Sequence, residues 1–299
     1  MNRVQPPKTR AGAPATERLA RKNRRGETLA YRAARRGLLK RIKPALTTEL
    51  FRQETTDGNS IFRLLIADRR LIEAADLLTP AMLLEKDWFG GHPTIWLCNN
   101  NLTSKRNFPT IRHLITKETL AVRGPLDLTL LHLLAETGVL HQIKDLITAE
   151  HLQAETLTGE TVIHLAAMNG QIWHLRHLLR PEDLKLRDCN ETTVAHLAAA
   201  NGTALKAIKS LLTSEIVGSK NQRDQNVAHI AAENQLICLI AGKLTVDIVG
   251  ATDEDGKTPI DLALECDADA IQKNWQMFPA DVWAQFAAQM IGRLSRPAA

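Results

Sequence analysis

The chain has few aromatic residues, no paired cysteine motif and no long apolar run, and each absence removes a class of protein. Aromatics are 4% of the 299 residues, so an aliphatic, alanine-rich core must do the packing. That suits close helix-on-helix contact better than a sandwich or barrel. No stretch of 18 apolar residues occurs, so nothing is expected to span a membrane. Cys98, Cys189, Cys238 and Cys266 are scattered without a CxxC pair; reduced thiols in a cytosol are the simplest account, and zinc has no support. The basic N-terminus has no apolar segment behind it and does not read as a secretory signal, while Pro6, Pro7 and Pro14 weaken the amphipathic helix of a transit peptide. GxxxxGK[ST], GxSxG and HExxH are all missing. With no residue to nominate as nucleophile or general base, the expectation is a protein that is not an enzyme and uses no cofactor.

What is present is enough hydrophobic sequence, 44%, for a real core. Charge is uneven beneath a net +5. Residues 1–44 hold fourteen Lys or Arg against Glu17 and Glu27, a net +12, which leaves −7 for residues 45–299. A basic arm precedes an acidic body.

The body repeats. Aligned on His164, equivalent positions fall at Tyr31, Arg63, Trp96, His132, His164, His196, His229 and Asp261, with spacings of 32 to 36 residues. Three residues before each marker stand Thr28, Ser60, Pro93, Thr129, Thr161, Thr193, Asn226 and Thr258. These are helix-capping types in all units but one, and the alanines that follow make a thin helix that a neighbour can approach closely. A glycine such as Gly138, Gly170 or Gly202 ends that first helix. The aliphatic spacing Ile172, Leu175, Leu178, Leu179 then predicts a second, antiparallel helix. A recurring phrase, "LTTEL" at 46–50 or "LTSEIV" at 212–217, predicts one further tight helical turn, followed by polar tips such as "ETTDG" and "DEDGK". One hairpin cannot bury its apolar face alone, so the units are expected to stack into a curved solenoid.

At "GETVIHLAA" (159–167), "ETTVAHLAA" (191–199), "QNVAHIAA" (225–232) and "GKTPIDLAL" (256–264) the chain resembles the ankyrin repeat family, whose unit is about 33 residues with a T-P-L-H-x-A signature. The resemblance covers roughly residues 26–265. It departs from the pattern where Pro259 alone supplies the proline after the threonine and where Asp127, Glu191 and Asp224 replace the turn glycine. The fold class it implies is all-α: an ankyrin-repeat solenoid of about eight stacked helical hairpins. Around it are expected a basic, disordered arm over 1–25 and a helical cap over 266–299, with Val282, Phe286, Ala287, Met290 and Leu294 as one apolar stripe. A partner-docking amphipathic helix is the alternative for that last segment.

The resemblance gives His132, His164, His196 and His229 a structural role, tying the turn to adjacent repeats by hydrogen bonds. A metal row is disfavoured by geometry: neighbouring units stand roughly 10 Å apart, whereas each zinc ligand must lie about 2 Å from the ion. His174 and His177 share a helix face at i, i+3 but have no third ligand at suitable spacing.

Recognition in this family uses the tips and the exposed positions of the first helix. Carried over, the partner-binding candidates at the tips are Trp88, Phe89, His92, Thr158, Glu160, Arg187, Asp188 and Glu191. On the first helices they are Asn99, Asn100, Glu136, Met168, Asn169, Asn201, Glu233 and Asn234. "KDWFGG" is the sharpest of these, since Trp and Phe at a tip are common interface anchors, although they also serve to fill a gap between unlike repeats. "RLARKNRR", with Arg18, Arg21, Lys22, Arg24 and Arg25, is either an anion-binding patch, a nuclear-import cluster or a solvated tail. The resulting expectation is a monomeric, cytoplasmic scaffold that binds a partner protein, in its own cell or delivered into a host. A nucleic-acid or anionic-surface adaptor is the alternative.

Overall fold

The computed structural model describes residues 14–84, 96–98 and 100–294. Among the described residues the fold is all-α: short helices and turns, with no strand. No helix among them is long and apolar enough to cross a membrane.

The capping positions explain where the first helix of each unit starts. Thr28, Ser60, Thr129, Thr161, Thr193, Asn226 and Thr258 are the N-caps of Leu29–Arg35, Ile61–Ala67, Leu130–Thr137, Val162–Met168, Val194–Ala199, Val227–Glu233 and Pro259–Lys273. A capping side chain is worth about 1 kcal/mol because it satisfies amides that have no partner inside the helix. Each of these helices packs on its counterpart one unit away, as Leu130–Thr137 does on Val162–Met168 and Val227–Glu233 on Pro259–Lys273. Ala166, Ala167, Ala198, Ala199, Ala231 and Ala232 are buried in those contacts, which only a methyl group is small enough to permit. One apolar core runs from Leu19 to Phe286.

The second helix departs from expectation. It is a 3-10 segment at Leu71–Leu77, Leu140–Gln142, Ile172–His174 and Ile237–Lys243. The reason lies in the spacing itself. Ile172, Leu175 and Leu178 are three apart, so a helix of three residues per turn keeps them on one face; His174 N–H to Gln171 and Leu178 N–H to Leu175 are the corresponding i to i+3 bonds. The expected second α-helix appears at Leu39–Ile42, Phe108–Ile111 and Gly202–Ile208, and before the last of these Asn201 Oδ1 accepts from the Thr203 and Ala204 amides and restarts the chain with a proper cap. The short third turn is present at Thr48–Arg52, Pro80–Leu84, Lys117–Leu120, Ala149–Leu152, Pro181–Lys185, Ser214–Val217 and Val246–Gly250.

Between units the chain reverses through a repeated tip. Antiparallel bridges pair Lys22 with Thr28, Arg123 with Thr129, Glu155 with Thr161, Arg187 with Thr193 and Lys220 with Asn226. Inside most tips one residue stands in the left-handed region: Gly26, Gly58, Gly159 and Gly256, and equally Glu191 and Asp224, which adopt the glycine conformation without changing the turn. At Pro125–Asp127 the turn differs, since Leu126 and Asp127 are both left-handed. Successive tips are joined by backbone bonds, Thr56 N–H to Arg25, Leu157 to Leu126, Cys189 to Thr158, Gln222 to Asn190 and Glu254 to Arg223.

Both expected boundaries move. Structure begins before residue 26, because Ala15–Ala20 is a helix whose Leu19 is buried and which packs on Leu29–Arg35. An apolar pair, Leu19 and Ala20, anchors this part of the basic segment; residues 1–13 lie outside the described ones. At the other end Pro259–Lys273 is one continuous helix across the 265/266 boundary, since no left-handed residue interrupts it after Leu264. Ala280–Leu294 packs on it and on Val246–Gly250, with Val282 and Phe286 fully buried.

Two tip glycines separate conformational cost from steric cost. A Cβ on Gly256, at φ +73°, would meet nothing within 4 Å, whereas on Gly26, at φ +69°, it would lie 2.9 Å from the Thr56 backbone nitrogen. Gly256→Ala is expected to cost about 1 kcal/mol, the left-handed penalty alone. Gly26→Ala should cost about 2–3 kcal/mol, because the tip-to-tip bond from Thr56 must also move. Urea melts of the two variants measure the difference, and equal costs would contradict the close approach.

Candidate functional site

The histidines come first because they fix the tips on which any partner site must stand. At His164, the Thr161 amide donates to Nδ1 at 3.1 Å and the Thr161 hydroxyl lies 2.9 Å from the same atom. His196 repeats this with Thr193 at 3.2 and 2.8 Å, and His132 with Thr129 at 3.1 and 2.7 Å. At His229 the Asn226 amide takes the same role. An amide N–H can only donate, so Nδ1 of His132, His164 and His196 must be unprotonated and their proton must sit on Nε2; at His229 the Asn226 Oδ1, an acceptor, also lies 2.8 Å from Nδ1. Nε2–H then reaches the next unit: Leu186 O at 3.0 Å from His164, Gln225 O at 3.0 Å from His196 and Lys257 O at 3.2 Å from His229. The structural role that the resemblance implied is thus a two-sided one in these three. His132 Nε2 makes no hydrogen bond; the Glu160 and Ala154 backbone carbonyls favour its proton only from longer range.

Burial drives all four imidazoles toward the neutral form. It holds His132 and His196 down at about 4, and it lowers His164 and His229 against the opposing pull of the Leu186 and Lys257 carbonyls. Two further histidines bridge units and were not singled out in the sequence: His151 Nε2 lies 3.0 Å from Lys117 O and His113 Nε2 3.3 Å from Leu78 O. They sit outside the T-x-x-H helix, and only the Thr148 to His151 spacing offered a signal. Among the described residues no group of three or more His, Cys, Asp or Glu is placed to hold a metal.

Several partner-binding candidates turn out to build the scaffold. Asn100 is buried; its Oδ1 accepts from the Leu71 amide and its Nδ2 donates to Trp96 O. Asp188 Oδ1 accepts from the Asn190 and Thr192 amides inside its own tip, as Asn23, Asn221 and Asp253 do in theirs. Arg187 Nη1 donates to Glu191 O and, in the next unit, to Lys220 O, while its guanidinium pairs with the Glu191 carboxylate. Thr158 Oγ1 donates to Glu160. Asn169 and Asn234 donate to Leu165 O and Ile230 O at the ends of their own helices. Asn201 caps its helix and reaches Met168 O, and Glu233 accepts from Gln225. Trp88, Phe89, His92 and Asn99 lie outside the described residues.

What remains on the tip side is a smaller set. Glu136 and Met168 are exposed, Met168 at 50%. Two side chains not picked out from the sequence join them: Leu126 and Leu157, exposed at 63% and 69% on adjacent tips whose backbones are bonded to each other. An apolar letter in a turn does not reveal whether its side chain is buried. The five cations Arg18, Arg21, Lys22, Arg24 and Arg25 are all exposed. No protein-family model matches the chain, and no curated protein matches it either.

The buried boxes make the protein acid-sensitive. Unfolded imidazoles titrate near 6.5 and the folded ones lower, so below about pH 6.5 the unfolded state binds more protons and stability falls as pH drops toward about 4. Stability should be flat from about pH 7 upward and decline through the histidine window, measured by urea melts across that range. His196→Ala should cost about 3 kcal/mol at neutral pH, by leaving the Thr193 amide without its acceptor and a cavity beside it, with the Gln225 carbonyl still held by the Asn221 amide, and should make the decline shallower. A variant as acid-sensitive as the parent would rule out the neutral-imidazole account.

Proposed function

We propose that the chain is an ankyrin-type solenoid that holds a partner protein on its tips and the exposed positions of its first helices, without changing the partner chemically. Seven helices capped at the repeat positions, left-handed tips at 26, 58, 159, 191, 224 and 256, and tip-to-tip backbone bonds support the architecture. The observation that carries the function is the apolar pair Leu126 and Leu157, held outward on adjacent tips, with Met168 exposed in the unit that follows. Exposed aliphatics set among polar neighbours on a rigid ladder are the composition of an interface centre rather than of a solvated turn. The partner takes its affinity from burying them, while the tip hydrogen bonds keep the ordering cost low.

A second reading rests on a separate observation. Arg18, Arg21, Lys22, Arg24 and Arg25 are exposed, and among the described residues none of them is paired with a carboxylate. That cluster fits an anionic surface or nucleic acid.

Because Leu19 and the Arg25 carbonyl belong to the packed structure, charge reversal at the five cations tests this more cleanly than deletion. Proteins retained from a lysate by the intact chain should also be retained by the charge-reversed chain, and lost by at least about tenfold with Leu126→Ser and Leu157→Ser together. Capture that instead follows the five cations, and disappears with salt or nuclease, would replace the protein-binding reading by the anionic one.

A further inference from the structure

A cavity of about 440 Å³ on the second-turn side of three consecutive units is lined by Trp173, Arg176, Lys206, Ala207, Lys209, Ser210 and Lys243. Its lining contains four cations and no acid. Among the described residues none of those four is paired with a carboxylate, although exposed lysines elsewhere are, as Lys185 is with Glu215 and Lys257 with Glu265. Trp173 is 53% exposed, unusual for an indole with no packing role, and the Arg176 guanidinium stacks over it at 4.6 Å.

These parts have one chemistry in common. Four like charges around one opening repel each other and raise the local concentration of a multiply charged anion. The Arg176 guanidinium sits over the indole and keeps its N–H fork for a phosphate, while three lysines supply point charges and Ser210 a hydroxyl. The depression is open to solvent, with about 440 Å³ above its seven lining residues. We propose that this cleft binds a compact polyphosphate anion, one bearing at least two phosphate groups, as a site separate from the tip face.

The local structure supports such a site. Lys206 and Lys209 lie at and just after the end of Gly202–Ile208, the α-helix that Asn201 restarts; a 3-10 turn in its place would aim these side chains differently. Trp173 and Arg176 come from the preceding unit and Lys243 from the following one. The site therefore exists only where the units are stacked.

The test is calorimetry on the full chain with three probes: inorganic tripolyphosphate, a nucleoside triphosphate, and vesicles carrying a polyphosphorylated headgroup. Tripolyphosphate should bind one to one, and Lys206→Glu with Lys209→Glu should weaken it by at least about tenfold, while reversal of Arg18, Arg21, Lys22, Arg24 and Arg25 changes it by less than about twofold. All the altered side chains are exposed, and circular dichroism with a melting curve checks that each variant is folded. The probes also assign the source of the phosphates. Tighter binding of the nucleotide, lost in Trp173→Ala, identifies a ligand with a planar ring on the indole. Equal binding of both soluble probes identifies the phosphates alone as the ligand, and vesicle binding lost with the cleft variant identifies a headgroup. No heat with any probe at low salt would overturn the proposal, as would binding that follows the five N-terminal cations instead of the cleft.

Discussion

Everything in this fold depends on an imidazole that accepts on one side and donates on the other. Nδ1 closes the cap of the first helix and Nε2–H holds a carbonyl of the following unit, so a single neutral ring fixes both the start of a helix and the distance to its neighbour. The units without a histidine show what each half is worth. Asp261 Oδ2 accepts from the Thr258 amide and hydroxyl, which reproduces the inward half; Ala280–Leu294 packs on this end. Arg63 keeps its own tip closed by donating to Gly58 O. The outward bond is present at His164, His196 and His229.

Much of this was legible in the sequence, for a physical reason. A cap needs a specific side chain three residues before a specific partner, so Thr161 with His164, Thr193 with His196 and Thr258 with Asp261 write the geometry directly into the letters. The short third turn was legible on the same grounds. The second helix was not, because Ile172, Leu175 and Leu178 satisfy a period of three as well as one of 3.6, and only the bonds decide. Leu19 was hidden for the opposite reason: one buried leucine among eight basic residues between 18 and 36 carries no period at all, and the charge around it points to a solvated arm.

The functional face was the least legible part, since a tip residue's chemistry does not say whether it faces a partner or its own backbone. Arg187 and Asp188 have the charge expected of contact residues, yet both are spent on the turn and on the next unit. Asn100 has the polarity of an exposed residue and is buried as a backbone mimic. Leu126 and Leu157 look like core and are exposed. Sequence letters report the capacity for an interaction, and at a tip every capacity has two claimants.

That competition separates the surfaces. Residues that form the turns and link the units cannot vary without loosening the stack, so the proposed tip surface is left to side chains with no scaffold bond, among them Leu126, Leu157 and Met168. On the second-turn side the constraint is weaker, because 3-10 segments are tied by their own backbone and by Gln171 and Asn100 reaching back to the amides of Leu140 and Leu71. Cations can accumulate there without cost to the tips. Trp173, Arg176, Lys206, Lys209 and Lys243 gather on the side whose side chains the scaffold leaves unspent, which leaves room for the two proposed surfaces on one row of units.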